Sequence, residues 1–301
     1  MLKYNSVKDL IDKAIEQQKN ISNIVIEDQA IQMGNTAEEI YNIMLTSFHV
    51  MNESVNFGMD PHIKSASGLS GGSAYKMKTA VDSGKSICGN LFGNVLAKAL
   101  AVSELNACMG KIVACPTAGS CGIVPAVLLT YQEEHNIPDD KIVMSLFTAS
   151  GIGMVIAKQA SISGAEGGCQ AECGSASAMA AAALVELAGG TPEMASHACA
   201  IAIKNMLGLV CDPVAGLVEV PCVKRNAIGA ANALVAAELA LAGIGSTIPA
   251  DEVIGAMKSV GDAMSQTLKE TAEGGLAATP TARKIAEGFL AENSHGESPL
   301  A

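Results

Sequence analysis

From Ser175 to Gly190 the chain reads SASAMAAAALVELAGG, a helical run made mostly of Ala, Ser and Gly. Small side chains let neighbouring helix backbones approach closely, because the distance between two packed helices is set by the side chains at their contact. A chain built on such segments is suited to a dense helical bundle. Apolar residues elsewhere keep helical spacing, at Val7, Leu10, Ile11, Ala14 and Ile15 and again at Val253, Met257, Val260 and Met264, while strand-like alternation is nearly absent. Helix starts are marked by Ser6, by Thr36 with Glu39 three residues on, by Thr191-Pro192-Glu193, and by Pro249 ahead of Asp251 and Glu252. These signals predict an all-α fold. With 49% apolar residues, 301 residues suffice for a sizeable core, and no Pro/Ser-rich linker or charge run divides them. The expectation is one large helical domain over 1–301, with N-terminal helices in 1–60 and a core in 61–285 that carries the functional loops.

The net charge of −11, the absence of Trp and a total of nine Phe and Tyr argue against a nucleic-acid partner, which would need basic grooves and stacking platforms. The start MLKYNSVKDLIDKAIEQQKN turns polar at once and lacks a signal-peptide core, so a cytoplasmic protein is expected. Ala227 to Gly245 approaches membrane-span length but is rich in small residues and carries Asn232 and Glu238. It reads as a buried helix rather than a membrane segment.

Three loops rich in Gly, Ser, Thr and Pro interrupt the helices: SGLSGGS (67–73), CPTAGSCG (115–122) and SGAEGGCQAECG (163–174). Their free backbone N–H groups and hydroxyls suit a carboxylate at a helix N-terminus or nest, although an ordinary cap or turn has the same composition. The nine cysteines are expected to remain thiols in a reducing compartment. Cys88, Cys108 and Cys199 lie in apolar, Ala-rich surroundings and read as plain core. Cys169, Cys211 and Cys222, spaced C-x41-C-x10-C, adjoin Gly or Pro or edge irregular segments, where thiolates can converge on a metal. By spacing alone, Cys169 with Cys173 or Cys115 with Cys121 are equally arguable pairs.

The run NMLGLVCDPVAGLVEVPCVKRNAIGAANA (205–233) is similar, nearly word for word, to the signature of the iron–sulfur-dependent L-serine dehydratases. GAEGGCQAECGSASAMAA and KIVACPTAGSCGIVPAVL resemble two further blocks of that family, and the resemblance runs from about Lys3 to the last helix. It implies an all-helical α subunit or α domain of a lyase that converts L-serine to pyruvate and ammonia. It also implies a 4Fe-4S cluster bound by Cys169, Cys211 and Cys222, with Cys173 as the alternative ligand. Three protein ligands leave one iron open, as a Lewis acid for the serine hydroxyl requires. Within the resemblance, Ser67, Gly68, Ser70, Gly71, Gly72, Thr117, Gly119 and Ser120 become the expected contacts of the substrate carboxylate. Some single-chain members end in a cysteine that caps the open iron, whereas this chain ends SHGESPLA. Solvent or a partner is expected at that position instead.

Removing the α-proton requires a base, and the histidines are His49, His62, His135, His197 and His295. His197 lies on an Ala-rich face and reads as a hydrogen-bonded core residue, and His135 and His295 as surface residues. His62, five residues before the first glycine-rich loop, is the best in-chain candidate. The family's β region carries a Ser-Ser-His-Thr motif that this chain lacks, which implies a separate β subunit as partner. Lys224-Arg225, beside Cys222, reads either as an anion site or as a solvated helix start. A pyridoxal-phosphate enzyme could run the same elimination through a lysine Schiff base, but no lysine block or phosphate cup is present. The rivals are an iron–sulfur L-cysteine desulfidase, which would expel sulfide, and a non-catalytic regulatory subunit bearing a cluster or zinc.

Overall fold

Ser6, Thr36 and Thr191 all cap helices through their hydroxyls. Ser6 Oγ accepts from Asp9 N at 2.9 Å, Thr36 and Glu39 form a reciprocal capping box, and Thr191 accepts from Met194 N ahead of Pro192 in the first turn. The computed structural model describes residues 4–295, and for 290–295 the backbone alone. The side chain of His295 and the cysteine-free tail that follows lie outside the described residues.

Thirteen α-helices occur among the described residues. They are α1 (Val7–Glu16), α2 (Ile21–Met33), α3 (Ala37–Gly58), α4 (Ser73–Asp82), α5 (Gly89–Ala107), α6 (Ile123–His135), α7 (Asp139–Gln159), α8 (Gly164–Gly167), α9 (Ser175–Leu187), α10 (Pro192–Lys204), α11 (Cys222–Leu241), α12 (Ala250–Ala263) and α13 (Pro280–His295). The described residues contain no strand, and the all-α expectation holds. The one β-like feature is an isolated parallel bridge between Cys211 and Lys269.

The small-sided run forms α9, and every residue from Ser175 to Val185 is buried. A helix apolar on all sides belongs at the centre of a bundle, and α9 is enclosed by α6, α7, α10 and α11. Larger side chains on the surrounding helices fill the remaining space: Ile123, Phe147, Ile156 and Ile203 are each at most 2% exposed. Burying such a side chain stabilises the fold by about 1.5–3 kcal/mol. Helix backbones also meet directly, since a Cβ on Gly58 of α3 would overlap the Ala101 carbonyl of α5.

Val7, Leu10, Ile11 and Ala14 are buried as their spacing predicts, but Ile15 is exposed. Val253 and Met257 are buried, whereas Val260 and Met264 are half-buried. Asp251, expected only to mark the start of α12, also accepts from Val7 N at 2.8 Å and Lys8 N at 2.9 Å, and so holds the first turn of α1. The expectation for Cys88 is corrected. It caps the N-terminal end of α5 and is exposed, because the apolar run that suggested burial begins only after it. Cys108 is half-buried at the C-terminal end of α5, and Cys199 is fully buried in α10.

Candidate functional site: a buried group of thiols and carboxylates

Chain segments from three parts of the sequence meet where α9 and α11 begin. Cys169 opens a π-turn over Gln170–Gly174 that leads directly into α9, and such wide turns often occur at functional sites. Cys211 sits in the bridge to Lys269, with Cys211 N donating to Leu268 O at 2.9 Å and Glu270 N donating to Cys211 O at 2.8 Å. Cys222 is the first residue of α11. Gln170, fully buried, ties these segments together. Its Nε2 donates to Gly167 O and Met257 O, and its Oε1 accepts from Gly208 N, each at 2.9 Å.

Cys169, Cys211 and Cys222 are close enough for their charges to act on one another. Cys173 Sγ lies 3.4 Å from Cys169 Sγ. Its hydrogen bond, helped by the Arg225 charge, holds the Cys169 thiol below its ordinary range, and Cys173 is correspondingly raised. Burial, followed by the charge of Glu172, pushes the Cys211 thiol up. Burial also pushes Cys222 up to about 12, with Cys169 and Glu172 adding to the shift and Arg225 opposing it. Cys115 and Cys121 are buried too and pushed up to about 12, but Cys121 bonds Val102 O of α5 and Cys115 lies beside α3 and α7, apart from this group.

Arg225 is not a solvated residue of a helix start. Its NH1 donates to Val210 O at 2.7 Å, its NH2 lies 2.9 Å from Asp212 Oδ1, and it hydrogen-bonds the Cys169 side chain. Lys224 next to it is exposed. The pair divides because one turn of α11 carries position 225 inward and position 224 outward.

The glycine-rich loops hold carboxylates, and those carboxylates are the chain's own. Glu104 of α5, 0% exposed, accepts from Gly71 N at 3.2 Å, Ser73 N at 3.0 Å and Ala74 N at 3.1 Å at the N-terminus of α4, which Gly72 caps with φ +73°. Glu219 Oε1 accepts from Ser67 Oγ at 2.7 Å and its Oε2 from Ser65 Oγ at 2.6 Å. Ser70 N donates to Ser65 Oγ at 3.3 Å, and Gly68 N donates to Ser65 O at 3.0 Å.

In the second loop Thr117 hydrogen-bonds Glu172, a Cβ on Gly119 would meet the Glu172 carboxylate at 3.3 Å, and Ser120 Oγ lies 3.1 Å from Thr117 Oγ1. Burial holds Glu172 above the ordinary carboxyl range despite hydrogen bonds from Thr117 and Gly164 N. Asn226, buried in the first turns of α11, joins this loop to Cys222: its Nδ2 donates to Gly119 O at 2.7 Å and Cys222 O at 3.0 Å, and Gly122 N donates to its Oδ1 at 2.9 Å.

Among the described side chains, the histidines lie apart from the thiols' immediate partners. His62 is exposed, with its backbone N–H donating to Asp60 Oδ1 at 2.8 Å. His197 is half-buried and its Nδ1 accepts from Ser246 N at 3.2 Å. His135 is exposed and packs on the Tyr131 ring.

Sulfur donors suit iron–sulfur or zinc chemistry. No group of three or more His, Cys, Asp or Glu among the described residues converges as ligands of a single metal ion do. A cluster spreads its thiolates over different irons and so takes a wider arrangement. A Cβ on Gly164 would stand 2.9 Å from both Cys211 Sγ and Glu172 Oε2, so only a bare glycine lets the backbone pass this close to the thiol and the carboxylate. The donor chemistry, thiols without the convergence of a single-ion site, fits a cluster better than a lone ion.

Fold and site together define an all-α protein with a buried cysteine-and-carboxylate centre at the entrances of α9 and α11. The chain belongs to the serine dehydratase alpha chain family, whose model matches residues 16–277. It is 52% identical over 282 residues to the probable L-serine dehydratase alpha chain of Bacillus subtilis, covering 94% of each chain. It is 47% identical over 288 residues to the L-serine dehydratase alpha chain of Peptoniphilus asaccharolyticus, covering 96% of this chain and 99% of that one. The L-serine dehydratase of Streptomyces coelicolor is 39% identical over 277 residues, which are 89% of this chain and 59% of that longer one.

Proposed function

We propose that this chain is the α component of an L-serine dehydratase, in which Cys169, Cys211 and Cys222 hold a 4Fe-4S cluster and a separate β chain completes the enzyme. The observation that carries the reading is the gathering of those three cysteines, from distant segments, around Arg225 and Glu172. Family membership supports the substrate, and the name "alpha chain" borne by two of the relatives supports the partner. The relative from S. coelicolor, with about two-fifths of its length beyond the match, is consistent with a second region fused in one chain.

When bound, such a cluster supplies a Lewis acid for the serine hydroxyl, whose departure as hydroxide is otherwise slow. The chain's own residues set the rest. Arg225 offsets the negative charge of the thiolates and fixes the entrance of α11 against Val210 and Asp212. Thr117 and Gly164 N hold the Glu172 carboxyl beside the thiols. Ser67, Gly68, Ser70, Gly71, Gly72, Thr117, Gly119 and Ser120 are the proposed contacts of the serine carboxylate, and at Ser67 and Gly71 it takes the place of Glu219 and Glu104, to which those donors now bond. His62 is the in-chain candidate for taking the α-proton, and the β chain is the other source of that base. Loss of the α-proton and of the hydroxyl as water leaves aminoacrylate. Its imine tautomer then takes up water, giving pyruvate and releasing ammonia.

The test is anaerobic assay of the chain with its β partner on L-serine and on L-cysteine. Pyruvate from L-serine that disappears on iron chelation and survives a carbonyl reagent supports the reading. Preferred release of sulfide from L-cysteine, or no pyruvate after cluster reconstitution, overturns it.

A further inference from the structure

Lys269 is 7% exposed, and among the described residues its ammonium has neither a hydrogen bond nor an ion pair. Its stem is packed away while the ammonium itself keeps contact with open space, so a cation with little water around it and no counter-charge faces outward from this wall. The bridge to Cys211 explains where the side chain goes. Leu268 and Glu270 pair with Cys211 through their backbones, and Glu270 acts on Cys211 and Glu172 from that side. The Lys269 side chain lines a cavity of about 320 Å³ bounded also by Ser161, Glu166, Gly167, Ala171 and Asp262.

The other charges of the cavity do not neutralise Lys269. Asp262 is already paired with Lys258 of the same helix, at 2.9 and 3.0 Å. Glu166 stands exposed at the rim. An inner ammonium and an outer carboxylate, in a space larger than a few water molecules, match a small molecule that carries a carboxylate at one end.

We propose that this cavity is an accessory site for a small α-amino or α-keto acid, whose carboxylate pairs with Lys269. Glu166 distinguishes the two, because only the amino acid offers an ammonium to it. The site is separate from the thiol group but mechanically close to it. Gly167 and Ala171 in its wall flank Cys169, and Lys269 is bridged to Cys211. A bound carboxylate therefore stiffens two of the three cysteine-bearing segments.

Binding is measured directly, independently of the lyase reading, by calorimetric titration of the intact chain. L-alanine, which has no hydroxyl or thiol to eliminate, pyruvate and inorganic phosphate are titrated separately. Binding of L-alanine or pyruvate that weakens about tenfold or more in Lys269→Met, is largely restored in Lys269→Arg and persists in Cys222→Ala supports the site. Tighter binding of L-alanine than pyruvate identifies the amino acid as occupant, and the reverse order identifies the keto acid. Should Lys269→Met not fold, Glu166→Gln takes its place, and weaker L-alanine binding with unchanged pyruvate binding supports the site. The proposal is overturned if neither carboxylate binds, if binding is lost in Cys222→Ala but kept in Lys269→Met, or if L-alanine is the tighter ligand and Glu166→Gln leaves its binding unchanged.

Discussion

Arg225 NH2 lies 2.9 Å from Asp212 Oδ1, and the same guanidinium hydrogen-bonds the Cys169 thiol. One side chain thereby links the start of α11 to the segments that carry two of the three proposed ligands. Arg225→Met removes the positive charge that helps hold Cys169 below its ordinary range, so iron retained after anaerobic gel filtration and pyruvate formation both fall, by tenfold or more in rate. Arg225→Lys recovers only part of this, because an ammonium lacks the planar fork that contacts Val210, Asp212 and Cys169 at once. Unchanged iron content in Arg225→Met contradicts the role.

Glu104 organises the first glycine-rich loop from inside the core. Glu104→Ala leaves Gly71, Ser73 and Ala74 without their acceptor and lowers unfolding free energy by about 1–3 kcal/mol. Glu104→Gln keeps an acceptor oxygen and loses less. Urea unfolding of the two variants orders them, and equal stability of Glu104→Ala and the parent contradicts the account.

The close approach of α3 and α5 gives a steric prediction. Gly58→Ala pushes a methyl group into the Ala101 carbonyl and costs about 1–3 kcal/mol, read as a lower urea midpoint with an unchanged slope. A neutral Gly58→Ala would mean that the two helices are not in backbone contact.

Most of the helical architecture was legible in the sequence. Ser6, Thr36 with Glu39, and Thr191 announce helix starts by local chemistry, and local chemistry is what the fold uses there. Cys88 misleads because its apolar neighbours in sequence lie on the far side of a helix boundary. Centres built on long-range pairing were less visible. Glu104, Glu172 and Glu219 anchor the loops, yet a search for a proton acceptor among histidines passes over them. A signal was present: each is a lone acid in an apolar or glycine-rich stretch, and a charge so placed needs partners from elsewhere in the fold. Gln170 gave no such signal, since two of its three hydrogen bonds reach segments remote in sequence.

Glu186 provides a test by pH. Burial raises its carboxyl above the ordinary value, against the hydrogen bond from Ser22 N. A folded state that holds this proton more tightly than the unfolded chain loses stability as pH rises from the unfolded value through the folded one. Glu186→Gln therefore raises the melting temperature above that interval and leaves it nearly unchanged below pH 4. The difference between variant and parent should grow from acid to neutral pH, and a difference that shrinks over that range contradicts the assignment.

Iron and acid-labile sulfide, measured anaerobically in the parent chain and in Cys169→Ala, Cys211→Ala and Cys222→Ala with pyruvate formation assayed in the same samples, bear most directly on the central claim. The expected parent contains about four iron and four sulfide per chain. Each substitution should lower both and abolish pyruvate formation from L-serine, while Cys199→Ala, which alters a fully buried cysteine of α10, retains them. A parent without iron and sulfide, or three single variants that keep both along with full activity, would contradict the account.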